Sequence, residues 1–118
     1  MKVFISLILS IALIYSCVQE MREITINYKV DMTAVDSVMT VGVIGEYEPM
    51  NWDTAIPLID ENDDGIYTGN ITIKAAYNYA EFKFKLNNEI IELEGQGNRV
   101  VDFTGQKEVS YICVYDVK

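Results

Sequence analysis

The sequence contains no histidine. That removes the side chain most used as a general acid or base near neutral pH, and the commonest metal ligand. No Ser-His-Asp or Cys-His arrangement can be built from it. Cysteine is scarce as well. Cys17 and Cys113 are the only two, which excludes a dense disulfide framework. Basic residues are few: nine Lys and Arg stand against 18 Asp and Glu, a net charge of −9. Such a surface repels phosphate backbones, so nucleic acid is not an expected partner. No stretch carries the periodicity of an amphipathic helix, and no repeat or low-complexity segment divides the chain.

What is present begins with an apolar N-terminus. From Val3 to Tyr15 the chain is almost wholly apolar, with Lys2 before it and Ser16 after it. That is the layout of a secretory signal, and the run is short of the roughly 20 residues a spanning helix needs. The alternation that marks a half-buried strand is missing here and starts only afterwards. Residues 1–16 are therefore expected to be an export signal, and residues 18–23 a short polar tether. Cys113 lies in the apolar run Tyr111-Ile112-Cys113-Val114 and reads as a small hydrophobe of a core strand. A Cys17–Cys113 disulfide is the competing reading for an exported protein.

Residues 24–118 read as one all-β domain. Ile24 to Val30 alternates without a break. Ser37 to Ile44 reads as a more buried strand, Ile56 to Ile59 as an edge piece because of Pro57, and Ile66 to Ile73 as another alternating strand. In Ala80 to Leu86, Ala80, Phe82, Phe84 and Leu86 face the core while Glu81, Lys83 and Lys85 face out. Asn87-Asn88 makes a hairpin turn, followed by short strands over 89–93, 99–103 and 109–115. About eight short strands with frequent turn signals predict a β-sandwich of antiparallel strands, and roughly 100 residues suffice to bury one core.

Two resemblances add to this reading. Ile14-Tyr15-Ser16-Cys17 resembles the bacterial lipoprotein signal. It implies cleavage before Cys17 and a lipid on its sulfur, hence attachment to a membrane of a bacterial envelope, the outer membrane being the expected one. The second covers most of the mature chain. Val41-Gly42-Val43-Ile44-Gly45, Met50-Asn51-Trp52-Asp53, Ile56-Pro57-Leu58, Asp64-Gly65-Ile66-Tyr67-Thr68-Gly69, Glu81-Phe82-Lys83-Phe84, and Glu94-Gly95 with Asn98-Arg99 stand in the order found in starch-binding domains. The chain thus resembles carbohydrate-binding modules of families 20 and 48. The resemblance implies an immunoglobulin-like β-sandwich that binds starch- or glycogen-like α-glucans without catalysis. It also implies a sugar site of Trp52, Lys83 and Asn98. The family's second tryptophan would precede Glu94, where this sequence has Leu93. That departure leaves a second reading open, a protein-interaction subunit that kept the sandwich and lost the sugar site.

Each of these residues also has a plain reading. Trp52 is equally a loop anchor. Lys83 and Lys85 on an outer face serve solubility and edge protection. Asn98, after Gly95 and Gly97, suits a turn with positive φ. Asp60 to Gly65 is a hairpin turn by its chemistry, with calcium ligation the lesser option because Ile71 stands where a bidentate carboxylate is needed. Glu46, Glu48, Glu92 and Glu94 are scattered and read as a solvated acidic surface, not a glycosidase pair. The expectation is a non-enzyme without cofactor or metal, whose partners are an α-glucan, the membrane through Cys17, and an optional protein.

Overall fold

The computed structural model describes residues 20–118. The expected export signal, and Cys17 with its lipid, lie outside the described residues. Among the described residues there are eight strands and no helix. They are β1 (Arg22–Asp31), β2 (Val41–Gly45), β3 (Ile56–Leu58), β4 (Ile66–Ala75), β5 (Tyr79–Leu86), β6 (Ile90–Ile91), β7 (Arg99–Asp102) and β8 (Glu108–Val114). The strands form two sheets, so the domain is a β-sandwich. One sheet has the order β4-β1-β8; the other has β3-β2-β5-β6, with β7 also paired to β5.

Alternation puts the apolar half of each strand between the sheets. Ile24, Ile26, Tyr28 and Val30 of β1 meet Phe82 and Phe84 of β5, all of them buried. Tyr28 stands edge-on to both phenylalanine rings at 5.0 and 6.0 Å, a favoured aromatic geometry. Burial of this kind contributes about 1.5–3 kcal/mol per large side chain.

Three details depart from the sequence expectations. The pairing of β1 with β8 is parallel, whereas antiparallel neighbours were expected throughout. A parallel neighbour needs a long crossover, and here the chain from β2 to β7, which includes every strand of the opposite sheet, supplies it. β1 begins at Arg22, which pairs with Ala75, so the last two residues of the expected tether belong to the sheet. Finally, β2 starts at Val41, not at Ser37. The Asn87 side chain takes the place of a strand there. Its Oδ1 accepts from the Met39 and Thr40 amides and its Nδ2 donates to the Ser37 carbonyl.

Candidate functional site

The three residues singled out from sequence are carried by β5 and two loops that lie over it. On the outer face of the five-stranded sheet, Lys83 pairs across to Ile44 and Lys85 to Gly42. The Lys83 ammonium donates to the carbonyls of Leu93 (3.2 Å) and Gln96 (3.1 Å), so the 93–98 loop with Asn98 is held over this face. The Lys85 ammonium donates to the Asp53 carbonyl at 2.8 Å, which draws the Trp52 loop over the same face. Both lysines therefore tie loops down, a role that neither the plain reading of solubility and edge protection nor the sugar-site reading of Lys83 included.

Gly42 makes the second clamp possible. A Cβ there would stand 2.6 Å from Ala55 Cβ and 2.8 Å from the Ile56 carbonyl oxygen, closer than atoms tolerate. Only glycine lets the loop lie flat on β2. Within the loop, the Asn51 carboxamide oxygen accepts from the Asp53 and Thr54 amides, an Asx turn that shapes the backbone around Trp52. The Trp52 side chain remains 43% exposed.

Leu93 takes no part in the outer surface. It is fully buried, with φ of 55°, and its amide donates to the Asp116 carboxylate at 2.6 Å. Its neighbour Glu92 is buried as well, which corrects the reading of that residue as part of a solvated acidic surface. Glu92 forms a two-pronged ion pair with Arg99, at 2.7 and 2.8 Å. It also accepts from the amides of Phe84 and Asp116. Arg99 in turn donates to the Val114 and Val117 carbonyls and lies 5.5 Å from the centre of the Phe84 ring. Burial alone would lower the Arg99 pKa, but the bonds to Glu92 carry it above its ordinary value. A glutamate in the short run Ile90-Ile91-Glu92-Leu93, flanked by Glu89 and Glu94, gives no local sign of such a partner.

Aromatic residues that the sequence left unplaced gather at the start of β5. The Tyr77 and Tyr79 rings are near-parallel, 23° apart with centroids at 6.3 Å. They are 56% and 46% exposed. By strand alternation Tyr79 shares the outer face with Glu81, Lys83 and Lys85. Tyr47 is half-buried beside them; burial raises its pKa, and Glu46 adds to that.

The other candidate features resolve into local structure. Asp60 accepts from the Asp64 and Gly65 amides, and Asp64 from the Ile66 amide. The carboxylates of Asp60 and Asp64 are thus spent on the turn's own backbone. Among the described residues no group of three or more Cys, Asp or Glu is placed to hold a metal ion. A groove of about 600 Å³ runs between the 48–51 segment and the three-stranded sheet, lined by Glu23, Glu48, Met50, Asn51, Thr72 and Lys74. It does not include Trp52, Lys83 or Asn98. Cys113 carries a free thiol on the inward side of β8, opposite Val30. No family model matches the chain, and no curated protein matches it.

Proposed function

We propose that this protein is a non-catalytic carbohydrate-binding module for starch- or glycogen-like α-glucans, held to a bacterial envelope membrane by a lipid on Cys17. The observation that carries the reading is the pair of lysine clamps. Lys83 and Lys85 draw the loops of Asn98 and Trp52 onto one face of one sheet. An exposed indole offers a flat apolar surface to the C–H face of a sugar ring, and the carboxamide and the remaining ammonium proton suit its hydroxyls. Loops on a rigid sandwich are a common seat of binding. Calorimetry and affinity electrophoresis with amylose, glycogen and β-cyclodextrin test it. Heat and retardation are expected. Silence with all three glucans rejects the reading, and binding that survives Trp52→Ala rejects this site.

The buried Leu93 favours the second reading, a protein-interaction lipoprotein on the same scaffold, because no ring can be presented from that position. It predicts a stoichiometric protein partner recovered from membranes together with silence toward glucans.

A further inference from the structure

We infer that Tyr77 and Tyr79 form a second aromatic subsite, so that the protein grips an extended glycan chain and not a disaccharide or a chain end. The inference rests on the α-glucan reading and adds the length of ligand the face selects. Leu93 is buried, so the Trp52 site lacks a neighbouring ring from that strand end. The rings that are available stand further along the same face, where Tyr77 and Tyr79 are about half exposed and near-parallel. Tyr79 and Lys83 stand four positions apart on β5, a span of about 13 Å at the rise of an extended strand. Glu81, half-buried, lies between them on that face and supplies acceptors for sugar hydroxyls.

The ring pair is presented on a fixed backbone. Arg22 donates to the Tyr77 carbonyl (3.3 Å) and to Asn78 Oδ1 (2.6 Å), and the Phe103 amide donates to the Asn78 carbonyl (2.9 Å). The turn is therefore tied to β1 on one side and to the end of β7 on the other. Little ordering remains to be done when a ligand lands, which is what makes exposed rings effective contacts. A chain that reaches both Tyr79 and the Trp52 loop gains two stacking contacts for one loss of free motion.

The test is calorimetry on the full-length protein with maltose and maltoheptaose. Wild type is expected to bind the long sugar at least about tenfold more tightly than the short one, the weight of one added aromatic contact. Equal affinity overturns the inference whatever the variants do. The double variant Tyr77→Ala/Tyr79→Ala is expected to lose about tenfold on maltoheptaose and stay within about twofold on maltose. The Tyr77→Phe/Tyr79→Phe variant, which keeps both rings, is expected to retain the preference for length. An alanine variant that keeps wild-type affinity for maltoheptaose, or that loses both sugars equally, overturns it. No heat from wild type with either sugar rejects the α-glucan reading itself, a result distinct from failure of the subsite alone.

Discussion

The two sides of β5 tie loops down with cations, and they do so at opposite ends of the dielectric range. On the inner side, Arg99 and Glu92 are both almost completely out of water and together hold Phe84, Asp116 and the carbonyls of Val114 and Val117. On the outer side, Lys83 reaches two loop carbonyls and Lys85 one, from a partly exposed face. A buried pair leaves a costly orphan charge when one member is removed, whereas an exposed clamp leaves only water in its place. The inner cluster therefore fixes whether the C-terminal segment stays on the sandwich. The outer clamps govern where two loops rest on a sandwich that folds without them.

Breaking the inner side should have the largest effect. Arg99→Met strands the Glu92 carboxylate between the sheets and is expected to cost about 3–5 kcal/mol, read as a lowered midpoint in urea. A loss under about 1 kcal/mol would place the pair in the same class as the outer lysines and remove the contrast. Next in size is Gly42→Ala, which forces a methyl into Ala55 and the Ile56 carbonyl. It is expected to cost about 1–3 kcal/mol, the usual weight of overpacking, and to weaken glucan binding by shifting the loop that carries Trp52.

The outer clamps should separate stability from binding. Lys85→Met keeps the apolar stem of the side chain and deletes the bond to the Asp53 carbonyl. Its unfolding midpoint is expected to move by less than about 1 kcal/mol, while glucan affinity falls because the Trp52 loop is no longer held on the face. Lys85→Arg should restore part of that affinity. Trp52→Ala is expected to abolish binding with an equally small change in stability. A large drop in the melting midpoint for Trp52→Ala would instead make the indole an anchor of the loop.

The periodic strands were legible from sequence because their signal is local. β5 alternates so regularly that each facing residue could be assigned, and Lys83 was placed on the correct face. What escaped depends on contacts far apart in the chain. Asn87 closes the 37–40 segment from 47 or more residues away, so a stretch rich in Val, Met and Thr looked like strand and is not. Glu92 and Arg99 are seven residues apart, yet their burial depends on the C-terminal segment folding over them. The starch-binding resemblance named Trp52, Lys83 and Asn98; it gave no hint that Lys85 holds the Trp52 loop, because the gap left by Gly42 follows from sheet register. Tyr77 carried no signal of its own, and its ring matters only because the turn sets it parallel to Tyr79.

The gentlest probe of the inner side is Cys113, whose thiol sits close enough to Arg99 and Glu92 to feel both. Burial is the main influence and raises its pKa to about 11 from the ordinary 9.0; Arg99 opposes that and Glu92 adds to it. The neutral thiol is thus favoured in the folded state. Its contribution to stability is complete below the ordinary cysteine value and is lost as pH rises from about 9.0 toward about 11. Because the thiolate is the reactive form, a thiol-directed disulfide reagent should modify Cys113 slowly at pH 8 in the native protein and fast in urea. In Arg99→Met the cation that favours the thiolate is gone. If that variant stays folded at pH 8, slower modification is the direct electrostatic effect. Faster modification there would mean that the inner cluster protects Cys113 by holding the C-terminal segment shut. That result would shift the weight of the Arg99–Glu92 pair from charge to closure.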